Sequence, residues 1–226
     1  MTTTSTGPAG PALPWRFWRN RLLPVLGLCA VSYIWLDRVV ALWCKAHITG
    51  NLLRFFKIVT DFGLAEYWLG GSALVAAIGY AITRRAASLS RLRRSGHRLQ
   101  AAGLYILLNS LFSGAVVLVG KVLCGRARPS QWFDHQLFGF FPWGWSSKFQ
   151  SFPSGHSQSA FAGLIGLGLL FPRARVLCWM IATLIAASRV LTTVHYVSDT
   201  VMGAYLGTAG AVLTWVWLQR RGWVPA

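Results

Sequence analysis

The chain alternates long apolar runs with short basic or mixed polar stretches, and this alternation sets the expected architecture. A helix rising 1.5 Å per residue needs about 20 apolar residues to cross a hydrocarbon core roughly 30 Å thick. Six segments approach that length: Leu22–Leu42, Leu64–Ile82, Leu99–Val119, Ser157–Phe171, Val176–Val190 and Thr200–Leu218. The fourth and fifth are short and need residues from their flanks. None shows the period-two alternation of a barrel strand, so helices are the predicted spanning form. Between the first two runs, Ile48, Leu52, Phe55, Phe56 and Val59 recur at helical spacing, with Asn51, Arg54 and Lys57 elsewhere on the wheel. That pattern predicts an amphipathic helix along the membrane surface. The expected fold is all-α: a polytopic membrane protein of six transmembrane helices plus this short interfacial helix.

The opening MTTTSTGPAGPALP is polar and rich in proline and glycine. Residues 1–20 are therefore read as a disordered tail, and residues 21–226 as one membrane-embedded domain without internal repeats. No small-residue cleavage site follows the first apolar run, so that run is read as an uncleaved span. Composition narrows the class further. The chain is 54% hydrophobic, has twelve tryptophans and carries a formal charge of +17. Such a charge suits either nucleic acid or an anionic membrane. The basic residues alternate with apolar runs rather than lining one solvated face, which excludes nucleic acid as a partner and leaves membrane lipid. Cys29, Cys44, Cys124 and Cys178 are scattered without metal or disulfide spacing and read as small packing residues.

Orientation follows from the loops. Arg16, Arg19 and Arg21 precede the first span; Arg84, Arg85, Arg91, Arg93, Arg94 and Arg98 follow the second. Arg173 and Arg175 follow the fourth, and Arg220 and Arg221 the sixth. With six spans all fall on one side, which the positive-inside rule makes cytoplasmic, together with both termini.

Three polar stretches then meet on the opposite face: KVLCGRARP (Lys121–Pro129), FPSGHS (Phe152–Ser157) and SRVLTTVHYVSD (Ser188–Asp199). Lys121, Arg128 and Arg189 offer cationic donors, and guanidinium forks match phosphate oxygens. Ser154 and Gly155 stand where a helix begins, with free backbone N–H groups and the positive end of the dipole. His156 and His195 titrate near neutral pH, and Asp199 lies one helical turn beyond His195, within reach of its ring. The inventory describes a phosphate pocket with a histidine pair.

The spacings K-x6-R-P, P-S-G-H and S-R-x5-H-x3-D, in this order, resemble the signature of the type-2 phosphatidic acid phosphatase family of membrane lipid phosphatases. The resemblance implies that His195 attacks phosphorus to form a phosphohistidine while Asp199 orients its imidazole. It implies that His156 protonates the leaving oxygen and then activates water, and that Lys121, Arg128, Ser154, Gly155 and Arg189 hold the phosphoryl oxygens. The expected activity is hydrolysis of a lipid phosphomonoester or diphosphate, among undecaprenyl diphosphate, phosphatidylglycerol phosphate, phosphatidic acid and lipid A phosphate. A lipid phosphotransferase using the same intermediate and a non-enzymatic anion-binding protein are the alternatives. The stretch KIVTDFG is similar to a segment of some bacterial relatives, lipid A phosphatases among them, without selecting a substrate.

No cofactor and no metal are expected, since hard cations take several oxygen ligands and Asp199 is the one acid inside the motifs. Asp134 and His135 are read as solvated loop residues. Arg126 and Lys148 are read as contacts for a second phosphate. The aromatic loop at 131–150 is read either as an interfacial anchor or as an entry for lipid from the outer leaflet. The expected setting is a bacterial inner membrane, with the site facing the periplasm.

Overall fold

The structure, a computed structural model, describes residues 15–86 and 90–223. A helix α1 (Trp15–Val31), a π-helical turn (Ser32–Leu36) and α2 (Asp37–His47) run on as one rod. There follow α3 (Gly50–Asp61), α4 (Ala65–Arg85), α5 (Ser90–Cys124), α6 (Pro129–His135), α7 (Gly155–Leu170), α8 (Arg175–Leu191) and α9 (Val197–Arg220). Among the described residues the one β feature is an isolated bridge between Arg126 and Phe140. The protein is an all-α polytopic membrane protein.

Among the described residues five helical stretches are long and apolar enough to cross a bilayer: Arg19–His47, Gly50–Arg85, Ser90–Cys124, Pro172–Leu191 and Val197–Arg220. The remaining expected span is α7. Its 16 residues reach only about 24 Å, short of the hydrocarbon thickness. It lies enclosed by its neighbours α4, α5, α8 and α9, so it does not have to meet lipid along its own length. Its Ala160, Phe161, Leu164 and Ile165 join Cys178, Ala182, Ile185 and Ala186 of α8 and Ala211 of α9 in the main core. Outside the core the polarity is that of a lipid-facing bundle: Leu23, Trp35, Val39, Leu74, Leu118, Val176 and Met180 are all exposed.

Polar side chains join the helices where lipid offers them no partner. Asn109 Nδ2 donates to the Ala162 carbonyl (2.8 Å), Tyr105 Oη to the Ala211 carbonyl (2.9 Å), and Gln158 Nε2 to Ser113 Oγ (2.7 Å). Close approach of α7 and α9 depends on two glycines four residues apart. A Cβ at Gly203 would run into the Ser154 carbonyl, and one at Gly207 into the Gln158 carbonyl. Backbone contact of this kind is the small-residue packing of membrane helices.

Two expectations, the arginine-rich loop and the extent of the tail, are revised. The arginine-rich segment after the second span, read as a loop, is from Ser90 onward the first turns of α5, a helix of 35 residues. At about 52 Å it outruns the bilayer and carries its arginines beyond the apolar zone. Of the tail expected over 1–20, residues 1–14 lie outside the described residues, and positions 15–20 already belong to α1. The amphipathic segment is a helix, α3, packed against α8 and turned into α4 at Phe62–Leu64. All four cysteines are free. Replacing Gly207 by Val is expected to prise α7 from α9 and destabilise the fold by about 1–3 kcal/mol. Thermal unfolding in detergent measures this; an unchanged midpoint would contradict the contact.

Candidate active site

The three motifs occupy helix ends, and local backbone geometry accounts for their spacings. Beyond Lys121, α5 terminates at Gly125, which takes a positive φ of 57° that glycine adopts without strain. Residues 126–128 then run extended between two strips of the aromatic loop. Ala127 N–H donates to the Gly139 carbonyl (3.1 Å), Arg128 N–H to the Lys148 carbonyl (3.0 Å), and Ser151 N–H to the Arg126 carbonyl (3.0 Å). Pro129 opens α6, where its missing N–H costs nothing.

Ser154 is the N-cap of α7, its Oγ accepting from Ser157 N–H at 3.4 Å. Its own N–H donates to the Asp199 carbonyl (3.0 Å), which ties the second motif to the third. Ser154 therefore has only its hydroxyl to offer an anion, whereas Gly155 and His156 stand in the first turn of α7. Lys121 Nζ lies over Gly155, 3.4 Å from where a Cβ would be. In the third motif the N–H groups of Val194 and His195 both donate to the Arg189 carbonyl at 3.1 Å. Between them and the helix end, Thr193 has a positive φ of 54°. This tight return after α8 sets the five-residue gap between Arg189 and His195.

These side chains converge. His156 has Arg189, His195, Lys121 and Arg128 as its charged or titratable neighbours, and His195 has Asp199, Arg128 and Arg189. Asp199 is 0% exposed and His195 2%. His195 Nδ1 lies 3.5 Å from Asp199 Oδ2 and makes no hydrogen bond, so Nε2 is the ring atom turned from the carboxylate. Burial pushes the His195 imidazole down to about 4, against the upward pull of Asp199 and with Arg128 and Arg189 adding to the lowering. The ring is neutral near pH 7. Burial likewise lowers Arg128, whose Nε donates to the Ser147 carbonyl at 2.8 Å. A ring of three cations around two imidazoles, at a helix N-terminus, can bind a phosphate dianion and move protons on it.

Arg126 stands elsewhere than expected. It is 0% exposed and holds no position from which to meet a second phosphate. Its Nη1 donates to Asp199 Oδ1 and to Ser198 Oγ (2.6 Å), and its Nη2 to Asp37 Oδ2 (2.7 Å). Tyr33, Phe138, Phe140 and Tyr196 surround the guanidinium at 4.5–5.7 Å from their ring centres. Burial would pull Arg126 down, but Asp199 and Asp37 outweigh it and hold the group above its ordinary value. The aromatic loop thus divides. Phe138 and Phe140 close over Arg126, while Trp143 and Trp145 are exposed at the tip. Lys148, Asp134 and His135 are exposed as well.

Sequence reasoning passed over four further residues at the site. Thr60 Oγ1 accepts from Arg189 Nη1 (2.8 Å), and Asp61 adds charge beside the same guanidinium. Gly63 lies so near His156 that a Cβ would stand 3.1 Å from the histidine's Cβ. Ser151 Oγ donates to Asp199 Oδ2 at 2.6 Å. The signal for the first three was the polar-glycine break TDFG between apolar runs; Ser151, one residue ahead of the Phe152–Ser157 stretch, had none.

The comparisons agree with this architecture. A family model described as the PAP2 superfamily matches residues 102–223. The chain belongs to the PAP2 superfamily, and it is an integral-membrane phosphatase. Among its relatives is a lipid A 1-phosphatase of Rhizobium etli, 31% identical over 208 residues, covering 91% of this chain and 87% of the relative. A lipid A 1-phosphatase of Rhizobium johnstonii is 28% identical over 217 residues, covering 95% and 86%. In fold the chain is similar to a crystal structure of a transmembrane PAP2-type phosphatidylglycerolphosphate phosphatase from Bacillus subtilis. That likeness has a TM-score of 0.55 at 20% identity, over 89% of this chain and 96% of the other.

Replacing Thr60 by Val is expected to leave the buried Arg189 fork short of an acceptor, at about 1–3 kcal/mol. Inhibition by inorganic phosphate should then weaken several-fold. An unchanged inhibition constant would remove Thr60 from the support of Arg189.

Proposed function

We propose that this protein hydrolyses the 1-phosphate of lipid A through a phosphohistidine, at the non-cytoplasmic face of a bacterial inner membrane, with both termini cytoplasmic. The observation that carries the chemistry is the convergence of Lys121, Arg128 and Arg189 on the pair His156 and His195. The substrate rests on the two lipid A 1-phosphatase relatives, each aligned over more than nine-tenths of this chain. The alternation of basic and apolar segments supports the orientation.

Lys121, Arg128 and Arg189 take the phosphoryl oxygens, with the Ser154 hydroxyl and the first turn of α7 around Gly155 completing the cradle. His195 Nε2 attacks phosphorus; the bond to the leaving sugar oxygen breaks, and His156 gives that oxygen a proton. Asp199 faces Nδ1 and stabilises the positive ring that results. Water then enters in line and gives its proton to His156. The phosphorus–nitrogen bond breaks and inorganic phosphate leaves. Positioning and charge stabilisation supply most of such an acceleration. Proton delivery by a placed side chain adds typically 10²–10⁴-fold, on the order of 3–5 kcal/mol.

The test is phosphate release by purified protein from lipid A 1-phosphate, phosphatidylglycerol phosphate, phosphatidic acid and undecaprenyl diphosphate, with no lipid acceptor present. Preference for lipid A with free phosphate as product is expected, and His195→Ala should be folded and inactive. Preference for another lipid would overturn the substrate; transfer to lipid in place of free phosphate would make the enzyme a transferase. The rate profile should be bell-shaped with pH, its base limb set by His156. Burial and the neighbouring cations push that imidazole down to about 3, and the charge of a phosphate dianion must raise it for it to hold a proton. Because His195 must be neutral to attack, its acid limb should fall near pH 4 rather than at the usual 6.5, once the substrate's own ionisation is allowed for. An acid limb for His195 at 6.5 or above would contradict a buried nucleophile.

A further inference from the structure

The rod formed by α1 and α2 precedes the stretch matched by the family model, yet it supplies a buried carboxylate to the site. Asp37 heads α2 just after the π-helical turn, and it is 1% exposed. Four donors converge on it. Ser32 Oγ (2.9 Å) and Ser198 N–H (3.1 Å) reach Oδ1; Arg126 Nη2 (2.7 Å) and Ser198 Oγ reach Oδ2. Ser198 lies in the first turn of α9, so a carboxylate from another helix satisfies a free N–H there and meets the positive end of the α9 dipole. His195 enters α9 two residues before its first helical position. Whatever fixes the start of α9 fixes the imidazole.

Charge gives Asp37 a second role. Arg126 is gripped by Asp37 on one arm and Asp199 on the other, with aromatic rings excluding water. Two carboxylates and one guanidinium leave one net negative charge in this buried cluster. In a poorly screened interior that surplus acts on the nearest group able to become positive, the His195 ring 3.5 Å from Asp199. Were Asp37 neutral, Arg126 would cancel Asp199, and the ring would lose its counter-charge as phosphorus bonds to it.

We propose that Asp37 is a positioning residue for the nucleophile: it anchors the first turn of α9 and neutralises Arg126, so that Asp199 keeps its negative charge for His195. This rests on the phosphohistidine reading above. Asp37 does not touch the substrate.

The experiment compares wild type, Asp37→Asn and the double variant Asp37→Asn/Arg126→Gln, each as the full chain in detergent. Steady-state rates, the rate of phosphoenzyme formation from radiolabelled lipid phosphate after a quench in alkaline SDS, which spares the acid-labile phosphorus–nitrogen bond, and thermal unfolding are recorded. Asn keeps one acceptor oxygen for Arg126 and Ser198 Oγ but sets its NH2 against the Ser198 N–H, so it removes the charge together with part of the anchor. Both kcat and the labelling rate should fall roughly 10–100-fold with KM nearly unchanged, comparable to losing the orienting partner of a ligating histidine. The double variant restores one net negative charge, and the amide that replaces the guanidinium still offers a donor to Asp199; it should recover most of the lost rate. A bare structural brace predicts the reverse, a further loss that tracks unfolding temperature, and that result would overturn the proposal. Wild-type kcat in Asp37→Asn would overturn it too. If Asp37→Asn does not fold, a folded and active double variant supports the charge account, and a double variant that also fails to fold refutes it. Absence of labelled enzyme in the wild type would instead refute the phosphohistidine. Labelling in the wild type with an equal rate in Asp37→Asn refutes only this inference.

Discussion

One carboxylate holds the active end of the bundle together. Asp199 accepts from Arg126 of the first motif region, from Ser151 just ahead of the second, and from the Tyr196 N–H at the head of its own helix, 2.8 Å away. Its backbone carbonyl meanwhile receives the Ser154 N–H. Three chain segments distant in sequence are thereby fixed to one another through a single residue. A buried ion remains charged only when its hydrogen-bonding capacity is filled. Here the donors that fill it come from the segments that must meet around a phosphate, so satisfying the ion and assembling the site are the same requirement.

The rest of the bundle serves that requirement. Helix α7 is packed among α4, α5, α8 and α9, and its N-terminus lies under the cations. Glycines 203 and 207 let α9 come to backbone contact with α7, which brings His195 beside His156. Helix α3 approaches from the periphery and holds Arg189 through Thr60. The cationic ring is thus gathered from α5, α8 and the turn before α6. Such a ring would repel itself without an anion at its centre, and a phosphate dianion is the charge that relieves it. Burial keeps His195 neutral, the state that the proposed nucleophile needs, and Asp199 stands beside it to meet the charge that attack would create.

Much of this was legible in the sequence, because the relevant signals are local. Apolar run length gave the helices, and the three spacings named the site residues that the structure brings together. What escaped depends on contacts across the bundle. Arg126 looked like one more cation in a basic cluster, whereas its partners are 89 residues before it and 73 after it. Asp37 looked like an acid near a membrane boundary. With only five acidic residues in the chain, one placed against the run SYIWL was a signal that a partner existed, though not which. The arginines that open α5 were read as a loop because charge density hid a sequence well able to form helix. Helix α7 was counted as a span from its apolar composition; it carries that composition into burial among helices and, at 16 residues, is not one of the five described stretches long enough to cross by themselves.

The central claim is that residues from three motifs surround one phosphorus atom with His195 as the attacking group. A high-resolution structure with orthovanadate tests it most directly, since vanadate adopts the geometry of phosphoryl transfer. The account predicts vanadium bonded to His195 Nε2, its equatorial oxygens held by Lys121, Arg128 and Arg189, and His156 against the axial oxygen opposite. Vanadate bound away from His195, or held by Arg126 in place of those three cations, would contradict it.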